Sequence, residues 1–140
     1  MQDQGLVSLE SRFSVGETID RLAAAAERSG LRIFARVDHG RGAAEVGADL
    51  RPTELLLFGH PRGGTPLMLD RQTSGIDLPV KALAWEDDQG RVWLSYNGAA
   101  WIAERHRLGR QSAFAVAAMA DGLAKLAAAA TSEDPSPTIP

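Results

Sequence analysis

The stretch from Glu54 to Lys81, ELLLFGHPRGGTPLMLDRQTSGIDLPVK, limits the fold more tightly than any other, because it sets two apolar runs around a segment of backbone-special residues. Leu55 to Phe58 form a short continuous apolar run of the kind a buried strand accepts, and Gly59 and Pro61 interrupt it. Gly63 and Gly64 open backbone angles closed to other residues, Thr65 has the side chain of an N-cap, and Pro66 suits the first helical position, where its missing N–H is not needed. The pattern predicts a helix from Thr65 through Leu67, Met68 and Leu69, closed by Gly75, after which Asp77 and Pro79 introduce the next strand.

The rest of the chain alternates strands and helices. Leu6 to Phe13 reads as a strand, and Ser14 with Glu17 fits a capping box opening a helix whose apolar face is Ile19, Leu22, Ala23 and Ala26 and whose end is Gly30. Leu31, Ile33, Ala35 and Val37 alternate with Arg32, Phe34, Arg36 and Asp38, which predicts a second strand with one face on the core. Gly42 to Val46 fits a single helical turn, and Val80–Trp85 with Val92–Tyr96 fit a hairpin joined by an acidic, glycine-bearing turn. Beyond Gly98 the chain turns helical, with a break at Gly109 and a final helix striped by Val116, Met119, Ala120, Leu123, Leu126, Ala127 and Ala130. This order predicts an α+β fold with a mostly antiparallel sheet, one domain over residues 1–130, and a disordered tail rich in Pro, Ser and Thr over residues 131–140.

Charge and composition remove several functions. Fifteen Lys and Arg against 18 Asp and Glu give a net charge of −3, and no basic cluster offers an electrostatic footprint for nucleic acid. The absence of cysteine excludes disulfides, thiolate metal sites and a cysteine nucleophile. The start, MQDQGLVSLESRF, has neither the basic region nor the apolar region of a secretory leader. No run approaches the roughly 20 apolar residues that span a bilayer, so a cytoplasmic protein without membrane contact is expected.

The ordered set Gly59-His60-Pro61, Gly64-Thr65-Pro66-Leu67-Met68, Asp77-Leu78-Pro79-Val80-Lys81 and Trp85-Glu86-Asp87 with the following Tyr96 resembles the bacterial domain of unknown function 302 family. The likeness extends to Val37-Asp38-His39, Ala44 and Glu104-Arg105-His106, and so spans nearly the whole chain. It implies a curved, mostly antiparallel sheet with helices packed on it, similar to the TATA-binding-protein-like arrangement, often as a homodimer. It brings no catalytic residues, and likeness of fold does not carry DNA binding with it. One departure is His60, where the family loop usually has asparagine.

Candidate site residues follow from the connectors. His39 and His60 each stand where a strand gives way to a loop, so strands ending on one side of the sheet would bring the imidazoles together. A metal would need a third ligand such as Asp38, Asp70 or Asp77, and no His-x-x-x-His spacing is present, so turn residues bonded to backbone are expected and no metal or cofactor. Helix-terminal N–H groups beside Arg62 and Thr65 suit a small anion, against the plainer reading of a turn shaped by two glycines. Asp77 and Lys81, four residues apart, would share a strand face as an ion pair or an acid/base pair, and Tyr96 would donate a hydrogen bond in the same cleft or simply pack. Ser8, Ser11 and Ser95 lie in no nucleophile elbow. The expected function is a non-enzymatic ligand-binding or interaction module. The alternatives are an enzyme moving a proton between histidine and carboxylate on a small anionic substrate, and an oligomerisation domain built on the alanine-rich last helix.

Overall fold

The structure, a computed structural model, describes residues 4–132. Strands β1 (Leu6–Ser11), β2 (Arg32–Asp38), β3 (Thr53–Gly59), β4 (Val80–Glu86) and β5 (Val92–Asn97) form a five-stranded sheet in the order β1-β5-β4-β3-β2, with every neighbouring pair antiparallel. The first two strands therefore occupy opposite edges, and helix α1 (Val15–Arg28) crosses the sheet between them. The remaining helices are α2 (His39–Glu45), α3 (Pro61–Asp70), α4 (Ala99–Arg105) and α5 (Ala113–Thr131). The result is the α+β class expected: an open antiparallel sheet with helices packed on it.

Strand alternation decides where the core lies. Leu56, Phe58, Ala82, Ala84, Leu94 and Tyr96 project from one face and meet Ile19 and Leu22 of α1 and Leu123 and Leu126 of α5. Ala82 and Ala84 add little bulk beneath α1, so helix and sheet approach closely. The opposite face carries Leu55, Leu57, Leu83, Trp85 and Trp93, which are only partly buried. Trp85 and Trp93 are directly opposed, with ring centroids 6.3 Å apart. Their indole N–H groups donate to Ser95 Oγ at 2.9 Å and Asp87 Oδ2 at 3.0 Å.

Local chemistry explains the helix boundaries that were anticipated. Ser14 Oγ accepts the Glu17 N–H at 3.1 Å to open α1, and Gly30, at φ +83°, supplies the left-handed turn that leads into β2. Gly109 separates α4 from a short 3-10 segment and α5.

Several expectations are corrected. In β2 the register passes from Ile33↔Phe58 to Ala35↔Leu57, so Phe34 is a bulge and the side chains after it exchange faces. Arg36, not its neighbours, turns to the helix side, where it donates to Asp20 Oδ1 at 2.7 Å and Glu54 Oε1 at 2.9 Å, while Val37 is left 38% exposed. Helix α3 starts at Pro61 instead of Thr65: His60 Nδ1 accepts the Arg62 N–H at 3.0 Å, and Pro61 takes the first helical position. Pro66 thus lies inside the helix, where it deprives the Arg62 carbonyl of its usual donor. The helix closes at Asp70, and Gln72–Asp77 form a 3-10 segment. At the C-terminus α5 runs through Thr131, which is buried and whose carbonyl accepts the Arg12 N–H at 2.8 Å. The tail expected at 131–140 lies, from residue 133 onward, outside the described residues.

The last helix also departs from the reading of membrane-spanning potential. Arg110–Thr131, 22 residues with a mean hydropathy of 1.5 in its most apolar window, is long and apolar enough to cross a membrane by length and composition alone. Its Leu123, Leu126, Ala127 and Ala130 are nevertheless packed inside this domain.

Candidate functional site: an apolar hollow at one end of the sheet

Where β3 ends and β4 begins, the helix layer stands apart and leaves a hollow of about 790 Å³. Phe58, Gly59 and Val80 form its floor, α3 with its capping residue His60 supplies one wall through Arg62 and Met68, and α5 supplies the other through Phe114, Met119 and Gly122. The cause is visible in α5. Its C-terminal half buries leucine against α1, whereas its N-terminal half presents Ala115, Ala118 and Gly122 toward the gap, side chains too small to fill it. A Cβ placed on Gly122 would meet nothing within 4 Å. Phe114, at 88% exposure, stands at the rim.

The polar groups at this hollow are basic or neutral. His60 lends its Nδ1 to the Arg62 N–H, which leaves Nε2–H as the ring's donor in the neutral form. Loss of solvent, with the charges of Arg62 and Arg32 adding to it, holds this imidazole below its ordinary pKa of 6.5, so the ring is neutral at pH 7. Among the described residues neither Arg62 nor Arg32 forms an ion pair.

Two other polar groupings lie at the same end of the sheet, and both are closed on themselves. Asp77 Oδ2 is 2.5 Å from His106 Nε2, and both Asp77 oxygens accept from Arg105 Nη1 at 3.0 and 3.1 Å. The Asp77 and His106 side chains are only 11% and 7% exposed. Thr73 Oγ1 is 3.5 Å from the other imidazole nitrogen. Asp70 Oδ2 accepts from Ser112 Oγ at 2.7 Å and the Gly109 N–H at 2.9 Å, contacts that, led by Ser112, hold its carboxyl below the usual range. The first grouping ties α4 to the 3-10 segment, and the second ties α3 to the start of α5.

The sequence-derived candidates separate accordingly. His60, Arg62 and Thr65 all line the hollow. His39 does not join them: Arg32 pairs with Gly59 and Asp38 with Glu54, so His39 and His60 stand at opposite ends of the β2–β3 pair, and the expected convergence of imidazoles fails. Asp77 ends the 3-10 segment and is not in a strand, and Lys81 Nζ reaches its carbonyl at 3.4 Å instead of its carboxylate. Tyr96 pairs with Ala82 on the helix face, where burial raises its pKa, while Lys81 points to the other face, so the two share no cleft. Among the described residues, no group of three or more His, Asp or Glu side chains is placed to hold a metal.

His106 and the α5 wall escaped the sequence reading. His106 was visible only as part of Glu104-Arg105-His106, and the one local signal for the wall is Gly122 interrupting an alanine-rich helix.

An open antiparallel sheet whose helix layer leaves an apolar hollow at one end defines a small α+β domain. Residues 7–130 match the family described as domain of unknown function DUF302, and the chain belongs to that family. The crystal structure of an uncharacterized conserved DUF302 protein from Bacillus stearothermophilus shares this fold with a TM-score of 0.72 at 17% identity, covering 91% of this chain and 95% of that one. The protein named fluoride-specific ion channel FluC 1 of Brucella suis biovar 1 (strain 1330) is 57% identical over 120 residues, which is 86% of this chain and 47% of that protein. The one named FluC 2 of Brucella melitensis biotype 1 is 57% identical over 120 residues and is 44% covered. The chain thus spans less than half the length of these curated relatives.

Proposed function

We propose that this DUF302 domain is a non-enzymatic binding module whose ligand occupies the hollow between β3, α3 and α5. The observation that carries the reading is the hollow itself: at about 790 Å³ it falls within the roughly 300–1,000 Å³ of small-molecule sites, and aliphatic and aromatic side chains form most of its walls. Against the enzyme alternative stands the separation of parts. The imidazole at the hollow, His60, has guanidinium neighbours, and the imidazole that does meet a carboxylate, His106, is nearly sealed from solvent. A thermal-shift screen of small apolar and amphipathic compounds tests the reading: at least one class raises the melting temperature of the parent chain by mass action, and Gly122→Leu removes that shift. A parent chain that responds to no class leaves the hollow as a packing feature.

In the longer Brucella relatives we read the domain as an accessory module beside the part that conducts fluoride, not as the pore. What supports this is that α5, the one helix among the described residues with the length and composition to cross a bilayer, commits Leu123, Leu126, Ala127 and Ala130 to the core of the same domain, although only 22% of its apolar window is buried. Deleting the homologous segment from the Brucella protein should leave fluoride efflux from reconstituted vesicles measurable, and its complete loss with the protein still inserted would place the segment in the conducting unit.

Self-assembly is a second reading, favoured by the partly buried face of Leu55, Leu57, Leu83, Trp85 and Trp93. A homodimer through this face predicts light-scattering masses of two chains for the parent and of one chain for Leu83→Lys, and a parent monomeric at high concentration removes it. The curved, TATA-binding-protein-like form implied by the family belongs to this proposal.

A further inference from the structure

We infer that the occupant of the hollow is an amphipathic monoanion, its hydrocarbon body lying between Phe58, Met119 and Gly122 and its carboxylate at the mouth beside His60 and Arg62. This rests on the binding-module reading and adds the chemical class of the ligand. The apolar walls select hydrocarbon, since filling the hollow removes apolar surface from water. The mouth supplies the sign of the head group. In a chain of net charge −3, the charges that act on His60 are both guanidiniums, Arg62 and Arg32, and neither has an ion-pair partner among the described residues. With Nδ1 committed to the Arg62 N–H, the His60 ring keeps Nε2–H as a donor, which suits an acceptor-only head such as a carboxylate. An ammonium head would meet two like charges and, among the residues that line the hollow, no carboxylate to accept from it.

The same features explain why the hollow stays open. Gly122 faces it with no atom within 4 Å of a prospective Cβ, and Gly63 on the α3 side is equally unobstructed. An alanine Cβ at either place would meet no neighbour, yet the chain carries glycine in both helices, where it is disfavoured relative to alanine.

The test is calorimetric titration of the whole chain with decanoate, decanol and decylamine, kept below their aggregation concentrations, on the parent, Arg62→Gln and Gly122→Leu. Decanoate is expected to bind with one-to-one stoichiometry, decanol roughly fivefold more weakly, as an exposed ion pair would dictate, and decylamine more weakly still. Arg62→Gln should bring decanoate down to the level of decanol without altering decanol itself, and Gly122→Leu should abolish binding of all three while its melting temperature holds or rises. If Gly122→Leu fails to fold, Ala118→Leu fills the same wall. Decanol binding as tightly as decanoate, or decanoate binding that ignores Arg62→Gln, would overturn the anionic head group and leave the binding module standing. Absence of binding by every probe, with the broader compound screen also silent, would sink both. Sedimentation with phosphatidylglycerol vesicles, lost in Arg62→Gln, combined with no uptake of free decanoate, would overturn the inference in favour of a membrane surface.

Discussion

The Asp77 cluster and the mouth of the hollow lie at the same end of the sheet and both carry histidine and arginine, yet only the first has a carboxylate, and their polar groups end in opposite circumstances. Around Asp77 the polar groups are taken up: its carboxylate serves His106 and Arg105 while its backbone carbonyl accepts from Lys81 Nζ. Around His60 the guanidiniums of Arg62 and Arg32 face an imidazole that is itself neutral. A saturated network holds elements together and has nothing left to offer a ligand. Groups left over beside an apolar hollow are the ones available for recognition.

Four substitutions break or sharpen this contrast. The largest effect belongs to Asp77→Ala, which strands a nearly buried imidazole and frees α4 from the 3-10 segment; a loss of about 3 kcal/mol is expected from urea denaturation. A loss below about 0.5 kcal/mol would show that the cluster holds little. Next, Gly122→Ala should stabilise α5 by about 1 kcal/mol through helix propensity alone, read as a raised denaturation midpoint at unchanged slope; destabilisation would mean that the hollow is already occupied by structure.

Asp70 gives a smaller effect, confined to acid. Its folded carboxyl is held below the ordinary value by Ser112 and Gly109, so the stability it contributes is present above about pH 4 and is lost as pH falls through the folded value. Asp70→Asn should therefore flatten the acid limb of a melting-temperature profile, and an unchanged limb would remove Asp70 as a clamp between α3 and α5. Smallest of all, Arg62→Ala should move stability by less than about 0.5 kcal/mol, because the side chain is exposed and unpaired among the described residues; a larger change, by the same urea midpoint, would place Arg62 in the saturated class.

Much of the scaffold was legible in the chain because local and tertiary demands agreed. Ser14, Glu17 and Gly30 bracket α1 by their own chemistry, and the hairpin of β4 and β5 follows from alternation on either side of an acidic turn. Where two local solutions compete, the sequence cannot choose. His60-Pro61 and Thr65-Pro66 both offer a cap followed by proline, and the earlier pair is the one that caps the helix, with His60 Nδ1 accepting the Arg62 N–H. Alternation in β2 misled for a different reason: an edge strand has little to bury, so pairing Arg36 with two carboxylates outweighed the even pattern of Ile33, Ala35 and Val37. The expected meeting of His39 and His60 overlooked that successive antiparallel strands end at opposite ends of a sheet. The hollow was least legible, because it is made by side chains that are missing from α5.

The placement of the first strand at the far edge governs how the molecule can come together. Ser8 Oγ meets Ser95 Oγ at 2.6 Å across 87 residues of chain, and among the described residues β5 is the only neighbour β1 has in the sheet. A nascent chain leaving the ribosome carries its opening segment unpaired until the last strand emerges, so closure of the architecture is a late, long-range event of the kind that slows folding. It also means that no cut through the middle yields a fragment with a finished sheet, because either piece leaves β1 or β5 without its partner.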